Sequence, residues 1–256
     1  MKKPSASSVK KIVLPGGGSA NLVLCENLAE LSAGAADLLK SFMNKKPFSL
    51  VLSGGSTPRA VHEVLSKSAL DWKEVYFFWG DERCVPPDHP ESNYRMARET
   101  LLSKISVLDS QIFRMHGESE PEIAARDYER QIRSFFQTEN SIPSFDFVFL
   151  GLGEDCHTAS LFPGTEAVNR MDRLVVSNYV QKLRATRLTM TVPLLNQAAN
   201  VVFLISGDSK VKALQTTLQG DHDPQKYPAQ AIRPQKGELY FYVDQSAAKL
   251  LENVER

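Results

Sequence analysis

Short apolar segments alternate with amphipathic segments along this chain, and the alternation limits its fold more than any other feature. Segments 48–52, 75–79 and 145–150 have the length of strands and consist almost entirely of apolar residues. Segments 26–44 and 121–137 repeat apolar residues every three or four positions, which is typical of helices. Strands buried on both faces and separated by helices predict an α/β fold with a largely parallel sheet and helices on both faces.

The rest of the chain follows the same pattern, with no linker or strong internal repeat. Further strands are predicted at 11–14, 21–25, 111–115, 174–177, 187–191, 201–205 and 239–243, and further helices at 92–105, 209–219 and 246–254. The 256 residues therefore predict a single α/β domain over residues 11–256, which follows a flexible polar tail at residues 1–10.

The composition argues against several classes of partner. Because 30 Lys and Arg residues balance 30 Asp and Glu residues, we expect no general affinity for nucleic acid or for an acidic membrane surface. No apolar run approaches the ~20 residues that a membrane-spanning helix needs. Three cysteines cannot complete a set of intrachain disulfides, and no targeting segment is evident, so the sequence predicts a cytoplasmic protein.

Polar or glycine-rich motifs follow three of the predicted strands, after Leu52, Trp79 and Leu150. The carboxyl ends of parallel strands lie at one edge of a sheet, where loops and helix N-termini form ligand sites. We therefore expect these three motifs to meet at a single functional site.

The first motif, Ser53-Gly54-Gly55-Ser56-Thr57-Pro58, connects a buried strand to a helix. Its glycines allow the backbone to approach an anion, and its hydroxyls and the helix N-terminus supply hydrogen-bond donors. The motif predicts a phosphate-binding loop, with Thr57 as the N-cap and Pro58 as the first helical residue. A tight structural turn is the alternative. The Gly-Lys-Ser/Thr ending of a nucleotide-binding P-loop is missing.

The second motif, Gly80-Asp81-Glu82-Arg83, places two acids and a guanidinium directly after a buried strand. Adjacent side chains leave a strand in different directions, so we expect the motif to divide into a structural acid and a group that faces the site. Arg83 can bind a carboxylate or phosphate through two hydrogen bonds, or stabilise negative charge on oxygen. A solvated charge cluster is the alternative.

The third motif contains His157, two residues after Asp155, in the glycine-bearing segment 151–163. Histidine can accept a proton near neutral pH, and a carboxylate can orient its ring and stabilise the cation. The pair predicts a general base, with a structural histidine as the alternative. We expect no metal site, because the consecutive residues Asp155, Cys156 and His157 rarely converge on one ion.

The remaining candidates for functional residues are two isolated basic residues and two cysteines. Arg187 begins a predicted strand and Lys210 lies where a helix starts, so each can bind a ligand or be exposed at the surface. Cys84 and Cys156 adjoin the second and third motifs, which suggests thiols that react with alkylating reagents. Buried, inert thiols are the alternative.

Taken in order, these motifs resemble the 6-phosphogluconolactonase family. The matching segments are 53–58, 80–86, 92–95, 151–163, 187–191, 207–214 and 228–229. The resemblance implies a Rossmann-like α/β fold and hydrolysis of 6-phospho-D-glucono-1,5-lactone to 6-phospho-D-gluconate in the pentose phosphate pathway. It implies a small sugar-phosphate lactone as the partner, with no metal and no organic cofactor.

The resemblance also implies roles for individual residues. His157 is similar in position to the base that activates water, Asp155 to its assistant, and Arg83 to a catalytic cation near the substrate. The residues implied to bind phosphate and sugar hydroxyls are Ser53, Gly54, Gly55, Ser56, Thr57, Arg187 and Lys210. Cys156 departs from the family pattern, which generally has glycine there, and a positive φ at this position would strain a cysteine.

Two other functions share parts of this pattern. A deaminase or isomerase for amino-sugar phosphates has a similar phosphate loop and Asp-x-His segment. That family typically continues with Ile-Ala-Phe-Asn-Glu-Pro, whereas this chain has Thr158-Ala159-Ser160-Leu161-Phe162-Pro163.

A non-catalytic sugar-phosphate sensor would need a DNA-binding or partner-binding segment, for which we find no spare length. Lactone hydrolysis is the favoured function.

Overall fold

The protein is described from a computed structural model that covers residues 9–252. Within this range the strands are β1 Val9–Val13, β2 Ser19–Cys25, β3 Phe48–Leu52, β4 Val75–Trp79, β5 Asp81–Arg83, β6 Phe147–Gly151, β7 Val175–Val180, β8 Ala185–Met190, β9 Asn200–Ile205 and β10 Glu238–Asp244. The helices are α1 Leu28–Phe42, α2 Ser56–Leu65, α3 Asn93–Thr100, α4 Pro121–Phe135, α5 Val192–Leu195 and α6 Val211–Gln219. None of these helices is both long enough and apolar enough to cross a membrane.

The strands form two sheets of different size. Seven strands lie in the order β1-β2-β10-β9-β6-β3-β4, and all neighbours pair in parallel except β1 and β2. Strands β5, β8 and β7 form a separate antiparallel sheet. The predicted α/β fold with a largely parallel sheet is confirmed. Two strands of the small sheet overlap the strands predicted at 174–177 and 187–191, but β5 and the separate antiparallel sheet were not predicted.

The two faces of the large sheet pack into separate hydrophobic cores. Leu50 and Leu52 of β3 pack with Leu39 of α1 and Val61 of α2, whereas Val51 packs into the core that contains α4 and α6. Successive strand residues point to opposite faces, so a strand that is apolar throughout needs cover on both sides. The helices supply that cover, as predicted.

Some predicted elements have different bounds in the structure. Strand β1 begins at Val9, so residues 9 and 10 of the predicted tail belong to the sheet and pair with β2. Residues 1–8 of that tail lie outside the described residues. The predicted strand at 111–115 is wrong, because only a single bridge joins Phe77 and Ile112. The predicted helix at 246–254 is a series of turns over its described part.

The small sheet joins the large one at the carboxyl end of β4. Strand β5 follows β4 after Gly80, whose carbonyl accepts a hydrogen bond from the Met190 N–H at 2.8 Å. The chain before β7 is fixed to α4 by Glu129, which accepts hydrogen bonds from the Arg173 side chain at 2.9 Å and from the Leu174 N–H at 3.0 Å. The small sheet is thereby held beside the edge where the three motifs lie.

Candidate active site

The loop after β3 turns into α2 two residues earlier than predicted. Helix α2 begins at Ser56, and its N-cap is Gly55, whose φ of 106° suits glycine. The prediction of Thr57 as the N-cap is therefore wrong. Pro58 lies in the first turn, where its missing N–H leaves no helical hydrogen bond unmade. No side chain of the described residues caps this turn, so its N–H groups can bind an anion.

Gly54 allows this loop to touch the start of α3. A Cβ at position 54 would lie 1.9 Å from Oδ1 of Asn93. The Asn93 amide donates a hydrogen bond to the Asp81 carbonyl at 2.9 Å. Asn93 thus contacts both the first and the second motif and joins them.

Glu82 is the structural acid of the second motif. Its buried carboxylate accepts hydrogen bonds from the backbone N–H groups of Arg83, Asn93 and Tyr94, each at 2.8 Å, and from the Ser92 hydroxyl at 3.1 Å. Burial raises the pKa of Glu82, and the backbone N–H groups oppose that rise. The carboxylate fixes the N-terminus of α3, where negative charge is favourable.

Asp81 faces the site instead. Its carboxylate accepts hydrogen bonds from the Ser160 hydroxyl at 2.7 Å and from the Asn93 amide at 3.3 Å. The amide of Asn178 donates to the Ser160 carbonyl at 2.8 Å, which ties the third motif to the small sheet. The predicted division between a structural acid and a group that faces the site is confirmed.

Arg83 and Arg187 lie directly opposite each other on β5 and β8. Side chains at paired positions of antiparallel strands leave the same face of the sheet. The Arg83 guanidinium donates to the Glu91 carbonyl. Burial and the positive charge of Arg83 lower the pKa of Arg187. Two like charges held side by side repel each other, so this arginine pair is suited to a bound anion.

His157 and Asp155 form a hydrogen-bonded pair in the loop after β6. Nδ1 of the imidazole lies 2.5 Å from Oδ1 of the carboxylate, and the His157 backbone N–H donates to the same oxygen at 3.2 Å. An ionised carboxylate only accepts hydrogen bonds, so Nδ1 of the neutral ring carries the proton and Nε2 keeps a free lone pair. This is the arrangement that a general base and its orienting carboxylate require.

Three neighbours fix the His157–Asp155 pair in place. The imidazole stacks on Phe162 with ring centroids 4.1 Å apart, and a Cβ at position 153, which is glycine, would lie 2.0 Å from Nδ1. The ammonium of Lys182 forms an ion pair with the second carboxylate oxygen of Asp155. Partial burial opposes ionisation, but the hydrogen bonds from His157 and Lys182 hold the pKa of Asp155 well below its usual range. Asp155 is therefore ionised at neutral pH.

Cys156 has a φ of 64°, the left-handed conformation that the resemblance raised as a source of strain. Its side chain is buried, and its thiol donates to the Ala213 carbonyl in α6 at 3.5 Å. Burial raises the pKa of the Cys156 thiol, and it raises the pKa of Cys84 to about 11. Because the thiolate is the reactive form, the structure favours inert thiols over the reactive thiols that the sequence suggested.

The three motifs meet at one cavity of about 600 Å³ at the carboxyl edge of the large sheet. The predicted site residues that line it are Ser53, Gly54, Gly55, Arg83, Asp155, His157, Arg187 and Lys210. Ser56 is exposed on the first turn of α2 and Thr57 is buried, so neither side chain lines the cavity. Between residues 9 and 252, no group of three or more His, Cys, Asp or Glu residues is placed to hold a metal ion.

Several residues that line the cavity were not predicted as site residues from the sequence. They include Asn93, Ser160, Phe162 and Lys182. Asn93 had a usable signal, because Ser92 before it is a good helix N-cap and places the next residue at the start of α3. Lys182 had none, because its segment has no motif and an isolated lysine is usually a surface residue.

Residues 19–241 match the family described as glucosamine-6-phosphate isomerases/6-phosphogluconolactonase. The match covers most of the chain and includes all three motifs. The chain belongs to this family. A family member from Synechocystis sp., named 6-phosphogluconolactonase, is 44% identical over 216 residues, which are 84% of this chain and 89% of the relative. A 6-phosphogluconolactonase of Haemophilus influenzae is 34% identical over 209 residues, 80% of this chain and 88% of that one.

Solved structures of the same family share the fold. The 6-phosphogluconolactonase from Thermotoga maritima has a TM-score of 0.76 at 30% identity, covering 88% of this chain and 99% of that one. The 6-phosphogluconolactonase from Trypanosoma cruzi has a TM-score of 0.81 at 28% identity, and the match covers 97% of this chain and 100% of that one. The family resemblance that the ordered motifs indicate is confirmed.

Proposed function

We propose that this protein is a 6-phosphogluconolactonase, which hydrolyses 6-phospho-D-glucono-1,5-lactone to 6-phospho-D-gluconate in the pentose phosphate pathway. One observation carries the proposal: the His157–Asp155 pair and the Arg83–Arg187 pair line the same cavity. A base and an anion site within about 600 Å³ suit a sugar phosphate that has a hydrolysable carbonyl. Relatives named 6-phosphogluconolactonase support the same substrate.

His157 is the proposed general base. Its Nε2 takes a proton from a water molecule as the water oxygen forms a bond to the lactone carbonyl carbon. Asp155 holds the Nδ1 proton and stabilises the imidazolium that results. The bond between the carbonyl carbon and the ring oxygen then breaks, and the ring oxygen receives the proton from Nε2. One water is consumed, and the protein ends unchanged.

The cationic side of the cavity is proposed to bind the substrate's negative charges. We assign the phosphate to Arg187, Lys210 and the loop Ser53-Gly54-Gly55, all of which line the cavity. Ser56 and Thr57 contribute through the backbone N–H groups of the first turn of α2 rather than through their hydroxyls. Arg83 stabilises the charge that develops on the carbonyl oxygen.

The proposed reaction needs no metal or organic cofactor, because a lactone carbonyl is already electrophilic. General-base assistance typically contributes ~10²–10⁴-fold and a fixed oxyanion donor ~10²–10³-fold. We also propose that residues 9–256 act as one catalytic domain in the cytoplasm and bind neither nucleic acid nor membranes. The balance of 30 basic and 30 acidic residues supports the last part of this proposal.

Steady-state hydrolysis of the phosphorylated lactone by the wild type and by His157→Ala tests the function. We expect the wild type to exceed the uncatalysed rate and His157→Ala to lower kcat by ~100-fold or more, because the base is removed. Unphosphorylated glucono-1,5-lactone should have a kcat/KM at least about tenfold lower, since remote phosphate binding orients the reacting carbonyl.

The matched control is His222→Ala, because His222 lies against Gly16 in the turn between β1 and β2, outside the cavity. This variant should keep normal activity. Wild-type protein without hydrolysis above background contradicts the proposed function, and normal turnover by His157→Ala contradicts the assigned base.

A further inference from the structure

Lys182 reaches the active-site cavity from the turn between β7 and β8. Its ammonium forms an ion pair with Oδ2 of Asp155, and it lies 5.4 Å from the centre of the Phe162 ring. Both contacts are to residues that hold His157. Lys182 therefore belongs to the surroundings of the base, although no sequence motif marks it.

Four side chains form a closed ring of contacts at this place. Asp155 uses one carboxylate oxygen for His157 and the other for Lys182, while His157 and Lys182 both lie against the Phe162 ring. A carboxylate bound at one oxygen can still rotate about its Cβ–Cγ bond. Binding at both oxygens fixes its plane, and with it the direction of the Nδ1 hydrogen bond.

We propose that Lys182 is a positioning residue that fixes the Asp155 carboxylate and keeps His157 in the neutral form that accepts a proton. The inference rests on the proposed function, since it assigns a role to the environment of the same base. Lys182 acts through Asp155 and is not assigned a contact with the substrate.

The sign of the effect follows from charge. An unopposed carboxylate beside an imidazole favours the imidazolium, which cannot act as a base. The Lys182 ammonium offsets that negative charge and also repels positive charge on the ring. The other charged groups that line the cavity are unaltered when Lys182 is replaced; they are Asp81, Arg83, Glu154, Arg187 and Lys210. A change at position 182 to an uncharged residue therefore removes one positive charge beside Asp155 and His157 and leaves the other charges of the cavity in place.

Replacing Lys182 should leave the fold intact. Its side chain is 56% exposed, and exposed ion pairs contribute only about 0–1 kcal/mol to stability. Lys45 offers a matched control, since it also pairs with an aspartate, Asp146, at 3.1 Å. That pair lies where β3 and β6 begin, at the opposite edge of the sheet.

The test compares Lys182→Met, Lys182→Arg and Lys45→Met by the pH dependence of kcat/KM on the phosphorylated lactone. For Lys182→Met we expect the acid limb to move to higher pH by about 0.5–1 unit and kcat near pH 7 to fall by about three- to tenfold, with KM little changed. Lys182→Arg keeps the charge and should recover most of kcat. Lys45→Met should match the wild type.

A second measurement does not depend on activity. Titration of the His157 ring proton by NMR, assigned with His157→Gln, should show its midpoint at higher pH in Lys182→Met than in the wild type. An unmoved midpoint and acid limb would overturn the inference, as would a rise in KM alone, which would make Lys182 a substrate-binding residue. A moved midpoint in a protein that does not hydrolyse the lactone would support the inference and reject the proposed function.

Discussion

Cys156 occupies a backbone conformation that most residues avoid, directly beside the proposed base. At a φ of 64° the Cβ atom crowds the following carbonyl, which costs about 1–2 kcal/mol for residues other than glycine. We therefore predict that Cys156→Gly is more stable than Cys156→Ala by about 1 kcal/mol, because both lose the thiol and only alanine keeps the strain. Urea unfolding of the two variants measures the difference.

Cys25 is the control for this prediction. It is also buried, but it lies in β2, where the backbone is extended. There the usual order should hold, with Cys25→Ala more stable than Cys25→Gly by about 0.5–1 kcal/mol. If Cys156→Ala is also more stable than Cys156→Gly, the strain at position 156 is smaller than the intrinsic cost of glycine and the prediction is wrong.

At the scale of single residues, contacts between residues close in the sequence were predictable. Asp155 and His157 are two positions apart, so their pairing needs only a short loop. Lys182 lies 27 residues from Asp155, the carboxylate that it binds. That contact exists because the turn between β7 and β8 lies beside the site, and no local sequence pattern predicts this position.

Helix α3 is the element whose position depends most on one side chain. The Glu82 carboxylate accepts hydrogen bonds from two N–H groups of its first turn and from the Ser92 hydroxyl. Glu82→Gln would turn an NH₂ group toward these donors, so we expect the free energy of unfolding to fall by about 2 kcal/mol. Chemical denaturation at pH 7 checks this value.

Glu99→Gln is the comparison for Glu82→Gln on the same helix. Glu99 is exposed and pairs with Arg95 one turn away, so Glu99→Gln should change stability far less than Glu82→Gln does. Equal effects at positions 82 and 99 would mean that the buried carboxylate does not anchor α3.

At the scale of elements, the central sheet was predictable because its strands are buried on both faces and have little polar content. The small sheet was only partly predictable: strands were predicted at 174–177 and 187–191, which overlap β7 and β8, but Asp81–Arg83 is too polar and too brief to stand out. The start of α2 was misplaced for a related reason. Thr57 is a good N-cap by composition, but the positive φ of Gly55 turns the chain two residues earlier.

The stability of the whole molecule should depend on pH through a buried histidine, His62. His62 of α2 is fully buried, and burial together with the positive charge of Arg59 lowers its pKa to about 3. In the unfolded chain a histidine titrates near 6.5. Below that pH the unfolded state binds a proton that the folded state does not bind. The free energy of unfolding therefore falls as the pH falls from 6.5 toward 3. From pH 6.5 to pH 5 the loss should be about 2 kcal/mol.

Urea unfolding at pH 7 and pH 5 measures this loss, and His62→Leu isolates the part due to His62. The variant should lose less stability between the two pH values than the wild type does, by about 2 kcal/mol. The histidines His89, His116, His157 and His222 are present in both proteins, so their contributions cancel. An identical pH dependence in the two proteins would rule out His62 as the source.

At Gly54 and Gly153, the space that a Cβ atom would need is already filled by another side chain, Asn93 in one case and His157 in the other. A side chain at either glycine would therefore displace the neighbour that fills its space. The imidazole can keep its place only while position 153 has no side chain. In a related sequence, an alanine aligned with Gly153 would mark an enzyme whose base has moved, even where the histidine itself is still present.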